Sequence, residues 1–103
     1  MIRHVLLLKI NDSVKASQIT VLQMLFETLP QRIAAVTSVE WGENDSLENK
    51  HQGYTHCVNM TFNNEEGRRC YLPHPAHSAL KKVLRPLIDD ILVFDYQCEN
   101  TNV

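Results

Sequence analysis

Ile2-Arg3-His4-Val5-Leu6-Leu7-Leu8-Lys9-Ile10 reads as a β-strand that is apolar on both sides. Alternation puts Ile2, His4, Leu6, Leu8 and Ile10 on one face and Val5 and Leu7 on the other, with Arg3 and Lys9 at the ends. A strand wet on one side carries polar residues there, so this strand needs two covers. What supplies them decides the fold.

Working outward, Asn11-Asp12-Ser13 supplies turn and capping residues, and a helix starts between Val14 and Ser17. Ile19, Leu22, Phe26 and Leu29 follow one helical face, widened by Val21 and Leu25. Pro30 interrupts the backbone bonding and leaves Gln31 to Ala35 room for a short extra turn. Val36 to Trp41 reads as a second strand with Val39 and Trp41 on one face, followed by an exposed polar connection through Gly53. Tyr54 to Phe62 alternates as a third strand, with Tyr54, His56, Val58, Met60 and Phe62 opposite Thr55, Cys57, Asn59 and Thr61. Asn63 and Asn64 suit the cap of a short helix reaching about Tyr71. Pro75 suits the first position of a further helix capped by His74, with Ala76, Leu80, Val83 and Leu84 inward and an end near Pro86. Asp89-Asp90 reads as a solvated helix end, and Asp90 to Tyr96 as the last strand.

The order is β-α-β-β-α-β, an α+β ferredoxin-like sandwich. Its helices can cover only one face of a four-stranded sheet. The other face, with Val5, Leu7 and Cys57, is expected to be covered by a second copy through an isologous contact, closing a homodimeric α/β barrel.

The 103 residues suit one domain, assigned to 1–97, with a polar tail at 98–103. A formal net charge of −2 excludes a broad cationic surface, and with it nucleic acid or an anionic membrane as the expected partner. Lys9 closes the opening apolar stretch far short of a bilayer span, and no cleavage site follows; a cytoplasmic protein is expected. Cys57, Cys70 and Cys98 show no CxxC spacing, so buried free thiols are expected rather than a disulfide framework or zinc site.

Five ring side chains carry the candidate chemistry: His4, His56, Tyr71, His74 and His77. His4 and His56 share the helix-facing side of the two central strands, and the segment Tyr71 to His77 roofs that side. One pocket between sheet and helices is the expected result. There is no HExxH motif and no carboxylate in the cluster, so no side-chain metal site is expected. His77 reads equally as a general base or as a packed histidine locking its turn. His74 reads first as the helix cap, and Tyr71 either as a functional phenol or as a loop anchor.

Arg3 through Lys9, Val39-Glu40-Trp41-Gly42, Gly53-Tyr54-Thr55-His56, Tyr71 through His77 and Ile91-Leu92-Val93-Phe94-Asp95-Tyr96 together resemble the stress-responsive A/B barrel family, the dimeric α/β barrels known as Dabb proteins. The resemblance spans nearly the whole chain and implies a ferredoxin-like fold and a homodimer. One plant branch of that family comprises polyketide cyclases, which close a linear polyketide by aldol chemistry without a cofactor. In that branch a histidine acts as base and a tyrosine hydroxyl assists; the matching positions are His77 and Tyr71. The substrate wall maps onto His4, Leu6, Leu8, Leu22, Phe26, Val39 and His56, with His74 beside it. Phe26 departs from the branch, which has a phenol there. The family also implies a cation site of backbone carbonyls at the turn after the first helix, here those of Pro30, Ile33 and Val36.

Two functions follow from these readings. One is a cofactor-independent cyclase, lyase or isomerase acting on a small apolar carbonyl compound. The other is a dimeric stress-response protein without turnover, whose pocket histidines are structural.

Overall fold

β1 (Ile2–Ile10) runs the full length expected of it, with even-numbered residues buried and odd-numbered residues half-buried. It pairs antiparallel with β3 (His56–Phe62) on one side and β4 (Ile88–Gln97) on the other, so β1 is central. β2 (Val36–Glu43) adds to the far edge of β3, giving the order β2-β3-β1-β4. The structure, a computed structural model, describes residues 1–98. Of the tail assigned to 98–103, only Cys98 lies within the described residues, and its N–H donates to the Met1 carbonyl.

The helical layer consists of α1 (Ala16–Glu27), α2 (Leu29–Arg32), α3 (Glu65–Tyr71) and α4 (Pro75–Leu84), with a 3-10 turn, Arg85–Leu87, leading into β4. The turn at Asn11 forms as expected, but Lys15 occupies the cap of α1, its N–H bonded to Gln18 Oε1. Thr28 ends α1 by donating its hydroxyl to the Met24 carbonyl, and Pro30 then fits the first turn of α2, where a missing N–H costs nothing. Leu22, Phe26, Leu29, Leu80 and Leu84 pack on Leu6, Leu8, Val58, Met60 and Phe62 in one continuous core. This is the ferredoxin-like α+β sandwich.

Several local expectations need correcting. Val83 is 38% exposed, whereas Leu80 and Leu84 are buried on the inner side of α4. Tyr54 does not share the face of His56. β3 begins only at His56, after positive φ at Gln52 and Gly53, and Tyr54 reaches round to Asp90 with Lys9 over its ring, beside Leu7 and Leu92. Asp89 and Asp90 lie in β4 rather than at a helix end, bonded to Asn11 and Tyr54. The thiols are not buried: Cys70 is exposed and Cys57 and Cys98 are half-buried.

The outer sheet face is open. β4 pairing sets Leu92, Phe94 and Tyr96 beside Leu7, Val5 and Arg3, and Phe94 is 60% exposed.

Candidate active site

A cavity of about 310 Å³ lies between the helical layer and the β1–β4 half of the sheet. His4 and Leu6 of β1 form its floor with Val93 and Ile91 of β4. Phe26 and Tyr71 close the inner side, α4 supplies His77, Leu80 and Lys81, and the 3-10 turn after it supplies Arg85.

His74 sets up this arrangement. Its Nδ1 accepts from the Ala76 N–H at 3.0 Å, Pro75 takes the first helical position, and His77 follows within the first turn of α4. His77 Nδ1 lies 2.9 Å from the Leu72 carbonyl. A carbonyl only accepts, so Nδ1 carries the proton and Nε2 keeps its lone pair. Burial holds the His77 imidazole below the ordinary histidine pKa, the Leu72 bond opposes this, and the charges of Lys81 and His4 lower it further. Its ring centroid lies 4.2 Å from that of Tyr71. Tyr71 is 1% exposed, and burial pushes its phenol well above the ordinary value, so the hydroxyl is a hydrogen-bond donor at any ordinary pH. His4 also meets Tyr71 edge-on, ring centroids 5.9 Å apart.

Asp95 is the residue that sequence reasoning missed. Its Oδ1 lies 2.6 Å from His4 Nδ1, and its Oδ2 accepts from Arg68, which also pairs with Glu65. The expectation of a cluster without carboxylates is corrected here. Register supplied the signal: Ile91, Val93 and Asp95 alternate on the helix side opposite Leu8, Leu6 and His4.

His4, Leu6, Phe26, Tyr71 and His77 meet at one cavity. Leu8, Leu22 and Val39 belong to the core behind it, and His74 is the cap of α4. His56 stands apart. It pairs with Leu8, four residues along β1 from His4, a separation of about 13 Å at strand rise. Its ring packs 5.1 Å from that of Trp41, and Nδ1 lies 2.7 Å from Thr55 Oγ1. His56 instead borders a larger hollow, about 490 Å³, with Leu7, Cys57 and Leu92 on the open sheet face. That hollow contains none of the Tyr71–His77 chemistry. Among the described residues no group of three His, Cys, Asp or Glu side chains could hold a metal. At the turn after α2, the Ile33 carbonyl accepts the Val36 N–H.

A family model for the Stress responsive A/B Barrel Domain matches residues 2–98. The chain belongs to this family. Stress-response A/B barrel domain-containing protein HS1 of Arabidopsis thaliana is 35% identical over 96 residues, 93% of this chain and 88% of HS1. Olivetolic acid cyclase of Cannabis sativa is 34% identical over 95 residues, 92% of this chain and 94% of the cyclase. The crystal structure of At3g17210 from Arabidopsis thaliana superposes with a TM-score of 0.91 at 33% identity, covering 100% of both chains. A dimeric ferredoxin-like protein of unknown function from Thermobifida fusca follows at 0.80 and 26%, covering 94% of this A/B barrel chain and 90% of its own.

Proposed function

We propose that this A/B barrel protein binds a small carbonyl compound in the His4–Tyr71–His77 cavity and performs cofactor-independent acid–base chemistry on it, as a cyclase, lyase or isomerase. The carrying observation is the Leu72–His77 bond, which leaves Nε2 unprotonated on a ring packed against that of Tyr71. Nε2 removes a proton from the carbon next to the carbonyl. The electron pair of the broken C–H bond forms a carbon–carbon double bond as the carbonyl π pair moves onto the oxygen, which accepts a hydrogen bond from Tyr71. Kinship with olivetolic acid cyclase supports this reading.

The working unit in this proposal is a homodimer in the cytoplasm, where unpaired cysteines persist as thiols. Support comes from the exposed row Leu92, Phe94 and Tyr96 and from the dimeric relative. Asn59 Oδ1, paired in register with Val5 on that face, is buried without a partner that a second copy could supply.

Exchange of the α-protons of 2-octanone in D2O, followed by NMR, tests the chemistry without knowledge of the natural substrate. His77→Ala is expected to slow the protein-catalysed exchange roughly a hundredfold or more. Tyr71→Phe is expected to cost about 1–3 kcal/mol of barrier. Equal rates for wild type and His77→Ala would contradict the assignment. Binding without exchange would favour the second reading, a ligand-binding protein without turnover, which Phe26 supports by lacking the phenol of the cyclase branch.

A further inference from the structure

We propose that the ligand is an anionic carbonyl compound, its carboxylate held at the cavity mouth by Lys81 and Arg85 while its carbonyl faces Tyr71 and His77. The proposal rests on the carbonyl-binding reading above and adds the ligand's charge to it.

His77, Lys81 and Arg85 recur at four-residue spacing, and Arg85 keeps helical dihedrals as the C-cap of α4. They therefore lie along one side of the helix, with about 6 Å of rise between successive residues. All three border the cavity, which no Asp or Glu side chain lines. Arg68 is engaged by Asp95 and Glu65, whereas Lys81 and Arg85 form no ion pair among the described residues. The charge of Lys81 reaches the interior, since it helps depress His77. Beside these cations the wall is apolar and partly uncovered: Ile91 is 36% and Val93 53% exposed. A ligand that satisfies both features has an apolar body along β4 and an anionic end at α4. The volume, about 310 Å³, is at the small end for ligand sites and fits a small acid.

The test compares 7-oxooctanoate with 2-octanone, which carry the same methyl ketone on chains ending in a carboxylate or a methyl group. Dissociation constants are measured by NMR titration of the full chain, following the His77 ring. The acid is expected to bind about tenfold tighter or more at low salt, as a charge-assisted contact provides. Added salt should erode that advantage, and in the Lys81→Gln, Arg85→Gln double variant the acid should bind no tighter than 2-octanone. Equal affinity for acid and ketone overturns the anionic assignment alone, as does an acid preference that survives the double variant. If neither compound perturbs His77, the carbonyl-binding reading falls and this assignment with it.

Discussion

His4 and Asp95 stand 91 positions apart in the chain and 2.6 Å apart in the fold. Neither residue type nor local pattern announces that contact, because the register between β1 and β4 is set by pairing across the whole domain. His56 illustrates the converse: alternation places it on the same face as His4, yet sharing a face says nothing of distance along the strand. His77 was legible as a candidate base, whereas its tautomer required the position of the Leu72 carbonyl. That tautomer has a pH consequence. The proposed catalysis by Nε2 requires the neutral ring, and burial, reinforced by Lys81, lowers its pKa. The acid limb of the exchange rate should therefore have its midpoint below the ordinary histidine value of about 6.5; a midpoint above it would contradict the assignment. Folding stability has the same sign. His56 and His77 are both depressed, mainly by burial, so below about 6.5 the unfolded chain takes up protons that the folded chain refuses. Their contribution is complete above that pH and is lost as pH falls toward the folded pKa values.

At the scale of elements, proline and cap chemistry were readable because they act within a few residues. His74-Pro75 marks the start of α4, and Asn64 caps α3 by accepting the Gly67 N–H. Strand ends were less readable: β2 runs on to Glu43 and β4 begins at Ile88, where ladder bonds rather than residue type decide the boundary. Tyr54 was misplaced for a related reason, as two left-handed residues precede it. The cap can be tested directly. His74→Ala leaves the Ala76 N–H without its acceptor and should cost about 1 kcal/mol in urea unfolding, within the usual 0.5–2 kcal/mol range for a lost cap. His74→Asn should recover most of it. Unchanged stability in His74→Ala would show that the imidazole does not hold this helix start.

For the whole molecule, the two apolar faces of β1 were the most informative feature of the chain. One face is covered by α1 and α4, and the other remains exposed at Leu92, Phe94 and Tyr96. Leu7→Asp places a charge on that face. Sedimentation should detect a dimer for wild type at micromolar concentration and its loss in the variant, since an unpaired charge in a buried seam costs several kcal/mol. A dimer unaffected by Leu7→Asp would place the contact elsewhere. The proposed ligand chemistry belongs to the cavity under the helices, and the hollow beside His51 and His56 to the proposed assembly face. A long-range ¹H–¹⁵N spectrum of the imidazole rings at pH 7, recorded with and without 2-octanone, tests this most directly. His77 is expected to be protonated at Nδ1 and bare at Nε2, with ligand shifting His77 and His4 while His51 and His56 stay fixed. A His77 ring protonated at Nε2, or shifts confined to His51 and His56, would contradict it.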